Sequence, residues 1–202
     1  MPISINGSGT ITGISAGGLP DNCVTAADLA TTLDLSSSTI TLPSGTGGKI
    51  LQVVSATKTN VATTTSTSPT AISGFSASIT PTVSGSNVLI MVSCAISNGT
   101  DNRGTFLYLY KNGSLITGAI GDSTGANRVR CVYKGRKYTV AASDCVGVSY
   151  LDSTTGTSSI TYAVYFSAES GTTAILGRDA DANNFAHLAN YPSTITLLEV
   201  AA

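Results

Sequence analysis

Five of the ten Lys and Arg residues of this 202-residue chain fall within ten positions, as Arg128, Arg130, Lys134, Arg136 and Lys137, and Tyr133 and Tyr138 interleave with them. Cations set beside aromatic faces can hold an anionic sugar, a phosphate or an acidic partner, through charge-assisted hydrogen bonds and ring stacking. A plainer use of the same residues is a solvated hairpin tip, with Lys134-Gly135-Arg136-Lys137 as a tight turn. The hairpin around Gly135 is therefore the candidate receptor-contacting patch.

Other reactive side chains are sparse. Asp179-Ala180-Asp181-Ala182-Asn183 has the oxygen spacing that opens a calcium loop, but the sixth position is Asn184 where such a loop needs Gly, and the twelfth is Asn190 where it needs Glu. A hydrated surface loop is the expectation there. His187 is the sole histidine, and no Gly-x-Ser-x-Gly elbow accompanies it, so a structural role is expected. Glu169 and Glu199 are the only glutamates, and nothing marks them or the aspartates as a glycosidase pair. No phosphate-binding Gly-x-x-x-x-Gly-Lys-Ser/Thr loop is present. Neither a catalytic residue nor a cofactor nor a metal is expected.

The four cysteines, Cys23, Cys94, Cys131 and Cys145, contain no C-x-x-C pair and no His at zinc-ligand spacing. Three disulfide connectivities stay open. Cys94 alternates in phase with Val88, Ile90, Val92 and Ile96, which suits a core position. A Cys131–Cys145 bridge would close a loop worth about 3 kcal/mol, but strands flanking a third would hold these residues about 10 Å apart.

These side chains must be positioned by strands. From Lys49 onward the apolar period is two, in about ten short runs separated by turn residues, the last being Ser193 to Val200. A final strand so near Ala202 is expected to be tied into the core. Phe106, Tyr108 and Tyr110 share one face of the run at 104–111, and Leu107 and Leu109 share the other. Both faces being apolar, this strand is expected to lie between the core and a neighbouring subunit. Asn112-Gly113 then predicts a two-residue hairpin turn, with weaker strand signals at 114–119 and 128–133. The resulting expectation is an all-β, antiparallel β-sandwich of jelly-roll type over residues 48–202, with an immunoglobulin-like sandwich as the rival. Residues 1–47 form a separate Gly/Ser/Thr-rich segment without Lys or Arg. It carries one short helix candidate, Thr25 to Leu33, capped by Thr25 and too short to hold itself in water. That segment is expected to be an attachment module for another protein.

Composition narrows the function classes. Charged residues make up 10% of the chain and hydrophobic ones 42%, with a net charge of -1, against a usual charged share of about 25%. So little charge does little to keep copies apart, and much of the surface is expected to face other proteins. A dedicated nucleic-acid binder would need a cationic excess. No secretory signal is visible, and the longest apolar run, Val88 to Val92, is too short for membrane insertion.

Three stretches carry a resemblance: Met1-Pro2-Ile3-Ser4-Ile5-Asn6-Gly7-Ser8-Gly9-Thr10-Ile11-Thr12-Gly13, Leu42-Pro43-Ser44-Gly45-Thr46-Gly47-Gly48-Lys49-Ile50-Leu51-Gln52-Val53-Val54, and Ser193-Thr194-Ile195-Thr196-Leu197-Leu198-Glu199-Val200. The chain resembles small structural proteins of tailed phages infecting aquatic bacteria, including cyanophages. The resemblance implies a virion component, made in the host cytoplasm and without enzymatic activity. The expectation is a homotrimeric tail fibre or fibre-like appendage, joined to other virion proteins through residues 1–47 and touching a host-surface glycan or protein. A capsid decoration protein that stabilises the head lattice is the alternative, and a polysaccharide-cleaving tailspike ranks third.

Overall fold

The computed structural model describes residues 4–5, 11–12, 49–122, 124, 127–136, 142–181, 183 and 185–202. The chain divides into two compact units, Met1–Thr46 and Gly47–Ala202. In the first, the described backbone is an antiparallel pair, β1 (Ser4–Ile5) with β2 (Ile11–Thr12). The helix expected at 25–33 lies outside the described residues.

The second unit is built from strands β3 (Ile50–Lys58), β4 (Ala62–Thr64), β5 (Thr70–Ile79), β6 (Asn87–Asn98), β7 (Gly104–Lys111), β8 (Ser114–Leu115), β9 (Tyr133–Arg136), β10 (Asp144–Ser153), β11 (Ile160–Ala168), β12 (Ala174–Leu176) and β13 (Ser193–Val200). All pairings are antiparallel. One sheet runs β3-β13-β6-β10, lengthened by β12 and β4. The other runs β5-β11-β7-β9, with β8 beside β9 on the free edge of β7. Counting β3, β5, β6, β7, β9, β10, β11 and β13 as strands one to eight, the pairs are one with eight, two with seven, three with six, and four with five. That nested pairing, a long hairpin rolled until its halves face each other, is the jelly roll.

Alternation fixes which side of each strand enters the core. On β6 the residues Val88, Ile90, Val92, Cys94 and Ile96 are all buried, and on β11 Ile160, Tyr162, Val164 and Phe166 are. They meet in one cluster with Leu107, Leu109, Ile195 and Leu197. Strand β5 changes phase: Ile72 points inward, then Phe75, Ala77 and Ile79 do. Gly74, at φ 74°, lies in this change of phase, where the β5–β11 register slips from Ala163 opposite Ser76 to Tyr165 opposite Ala71, leaving extra residues on β5. This is a β-bulge, and a side chain at Gly74 would be strained in that backbone.

Asn112 and Gly113 both take positive φ, 48° and 77°, closing the two-residue turn between β7 and β8. The last strand is indeed tied down. The Ala201 N–H donates to the Lys49 carbonyl at 2.7 Å, and Lys49 Nζ donates to the Ala202 carbonyl at 3.1 Å.

Two expectations need correction. The run at 114–119 is strand only for Ser114–Leu115, followed by a 3-10 turn at Thr117–Ala119. The segment Lys134-Gly135-Arg136 is not a turn; it lies inside β9, paired with Phe106, Thr105 and Gly104 of β7. Gly135 is there for space: a Cβ would sit 2.6 Å from Ile96 Cδ1 and 2.8 Å from Asp144 Oδ2.

Among the described residues the most protected charge is Glu199, on the inward face of β13 and fully buried. Its carboxylate accepts from the Thr82 N–H at 2.8 and 3.0 Å, the Val83 N–H at 3.1 Å, Ser86 Oγ at 2.7 Å, Thr82 Oγ1 at 3.0 Å and Gln52 Nε2 at 2.7 Å. Burial by itself would raise its pKa. The donors, led by the Thr82 N–H and the Gln52 and Ser86 side chains, outweigh burial and bring it down to about 2. The β5–β6 turn is thus stapled to the last strand.

Candidate functional site

Strand β7 has apolar residues on both faces, as its sequence requires. Leu107 and Leu109 enter the core, while Phe106 and Tyr108 point outward and are nevertheless 6% and 4% exposed. Their cover comes from this chain and not from a neighbouring subunit. The segment 127–131 comes back over the outer face before entering β9, so that Phe106 shares a groove with Asn127, Arg128, Val129, Cys131, Lys134 and Glu169. Further along, Tyr108 donates or accepts a hydrogen bond with Ser167 Oγ at 3.1 Å, and Tyr110 stacks on Tyr165 with ring centroids 3.7 Å apart. The expected strand at 128–133 is accordingly loop up to Val132.

The groove has a volume of about 520 Å³ and is open to solvent. Phe106 forms its floor, and Lys134 Nζ stands over that ring, 5.3 Å from the centroid, within range of a cation–π contact. Glu169 closes one end. Its carboxylate pairs with Arg103 at 2.7 Å and accepts the Gly104 N–H at 2.9 Å. The Arg103 hydrogen bond, helped by the Gly104 N–H, holds Glu169 below the usual carboxylate range. With Glu169 engaged by Arg103, the cations of Lys134 and Arg128 dominate the remaining wall. Burial pushes the Cys131 thiol up, against the opposing pull of Lys134, so this sulfur is a weak nucleophile. The arrangement can seat an acidic group against an apolar floor.

The described residues of the expected binding patch do not form one surface. Arg128 and Lys134 meet in the groove. Arg130 turns aside, donating from Nε to the Gly121 carbonyl at 2.8 Å. Arg136 is exposed but engaged: its Nε donates to the Asn102 carbonyl at 3.1 Å, and its backbone N–H to Asp144 Oδ2 at 2.9 Å. Tyr133 lies on the opposite face of β9, half-buried against the core, because neighbouring strand residues point to opposite sides. Lys137 and Tyr138 lie outside the described residues. Phe106 and Glu169 were missed as groove residues. Phe106 carried a signal, being one of three aromatics in phase; Glu169 carried none.

Elsewhere, the Asp179 to Asn183 stretch is not simply a hydrated loop. Asp179 is buried, with Oδ2 accepting the Ala189 N–H at 2.9 Å and Oδ1 facing the Tyr191 hydroxyl at 3.4 Å. Asp181 Oδ1 holds the backbone and side-chain nitrogens of Asn183 at 2.9 and 2.8 Å. His187 is exposed and stacks on Phe185, 5.5 Å between ring centroids. Cys94, Cys131 and Cys145 are free thiols. Burial pushes Cys94 up to about 12, with Cys145 adding to the shift, as suits a core sulfur.

No protein-family model and no curated protein sequence matches the chain. Solved structures of infectious bursal disease virus are similar to it. The Gx strain structure is 18% identical, covers 75% of this chain and 36% of its own, and has a TM-score of 0.36. A mutant VP2 protein of that virus in derived T=1 particles is 14% identical, covers 75% and 36%, and scores 0.39. The Gt strain structure is 13% identical, covers 82% and 42%, and scores 0.38. This chain therefore spans well under half the length of those chains, and its jelly-roll assignment rests on its own strand pairing.

Proposed function

We propose that this chain is a non-enzymatic structural subunit of a virus particle, a fibre-like appendage that contacts the host through the groove floored by Phe106. The observation that carries this reading is the contrast between the two outer faces of the jelly roll. One presents Arg128 and Lys134 around an apolar floor; the other, on the sheet containing β3, β13, β6 and β10, presents neutral residues at its outward strand positions. A scaffold that packs with one face and contacts a ligand with the other needs that division. The groove suits an acidic group on a surface glycan, since cations beside an aromatic ring supply both charge and stacking. Fold analogy adds only that jelly rolls include viral capsid and lectin domains.

A second reading, capsid decoration, draws on the neutral face, which suits lattice packing. Copy number separates the two. Quantitative mass spectrometry of purified particles is expected to find this chain in tens of copies per particle if it is an appendage and in hundreds if it decorates the head. Its absence from purified particles would overturn both.

A further inference from the structure

Outward positions of β3, β13, β6 and β10 among the described residues carry no Lys, Arg, Asp or Glu. Register places them in rows across the sheet. Val53, Leu198, Leu89 and Leu151 are mutual partners and form a straight aliphatic ridge over all four strands. Val53 and Leu151 are 58% and 53% exposed. Two rows along, Thr194, Ser93 and Gly147 are partners, and their short side chains leave a depression of about 500 Å³ reaching to Met91, Ser149 and Leu198. Ridge and trough are about 13 Å apart, four residues of strand. Midway runs the row of Met91, which is 47% exposed, and Ser149.

We propose that this face binds the same face of a second copy, around a two-fold axis lying along the Met91–Ser149 row. Rotation about that axis reverses the strand direction and keeps the order of strands. Each copy's Leu151 then lies over the other's Gly147, its Leu89 over Ser93, and its Leu198 over Thr194. Ridge enters trough twice, as an isologous contact requires. The lack of charge decides for a second copy over a charged partner, because two neutral faces meet without repulsion or an unpaired buried charge. Area agrees: four strands by about eight residues cover about 500 Å² per copy, so two copies bury about 1,000 Å², the lower bound for a specific interface.

The test is light scattering on the full chain at micromolar concentration, with circular dichroism to confirm folding. Wild type is expected near twice 20.3 kDa. Leu151→Lys should give the monomer mass, since a cation would be forced into the trough. Gly147→Val is the sharper variant and decides if the Lys variant misfolds. A Cβ there has no atom within 4 Å and the backbone is unstrained, so folding should be kept, and the filled trough should also give monomer. Nonspecific stickiness predicts the opposite, because Val adds apolar surface. A monomeric wild type would overturn the proposal, whether another segment of this chain or a different protein covers the face. So would a trimer, or a dimer that survives Gly147→Val.

Discussion

Glu199 shows how much one side chain can hold. Its folded pKa of about 2 lies below the ordinary 4.5, so its contribution to stability is fully present above about pH 4.5 and is lost as pH falls through 2. Glu199→Gln should lower stability by about 3 kcal/mol at neutral pH, because an amide NH₂ would face the Thr82 and Val83 donors. The melting temperature should drop by about 10 °C. The variant should also lose the Glu199 share of the wild type's acid sensitivity between pH 4.5 and 2, leaving that of Glu169, which melting curves across that range would check. In the groove, Arg128→Ala with Lys134→Ala should leave the fold intact, at a cost of about 1 kcal/mol or less, mostly the Lys134–Phe106 contact. Adsorption to host cells should weaken, more so at low salt where exposed charges reach further. Unchanged adsorption would remove the groove from host contact. Cys94 could be placed from its phase with Val88 to Ile96, but the Glu199 cage could not. Its donors come from residues more than a hundred positions away, and only folding brings them together.

At the scale of elements, β9 separates what alternation can reveal from what it cannot. The sequence marks Lys134 to Lys137 as basic and glycine-containing, which resembles a turn. The structure puts Lys134 to Arg136 in an edge strand, and the glycine serves a close approach to Ile96 and Asp144 across the sandwich. Gly135→Ala should therefore cost about 1–3 kcal/mol through overpacking, whereas a solvent-exposed turn would tolerate alanine. Urea unfolding would tell these apart. The long strands β6, β11 and β13 were legible because inward residues recur every second position. The Asn112-Gly113 turn was legible because so few residues tolerate its backbone. The cover over Phe106 was not, since residues 127–131 have no periodicity and their position depends on where β7 and β9 pair.

For the whole molecule, the antiparallel sandwich followed from strand count and alternation, while the nested order of pairing had to be seen. Apolar residues on both faces of β7 suggested a subunit contact, and the chain's own loop fills that role; the self-association we propose uses the neutral outer face of the other sheet instead. Removing residues 1–46 should leave the jelly roll folded with an unchanged melting temperature, because the second compact unit begins at Gly47. Particles assembled with the shortened chain should retain few copies of it. Retention at the full-length level would assign attachment to the jelly roll.

Pairing the first long strand with the last has a consequence for synthesis. Strand β3 waits for β13, about 150 residues later, which a ribosome delivers over roughly 10–30 s. Until then Ile50, Leu51 and Val53 have no partner strand, while β7 and β9, the innermost pair, are free to join first. Closure would then run outward from that pair, through β6 with β10 and β5 with β11, and end with β13. Such long-range pairing folds slowly, so the apolar edge of β3 stays open until β13 reaches it, and association between copies competes with closure of the sheet throughout that interval.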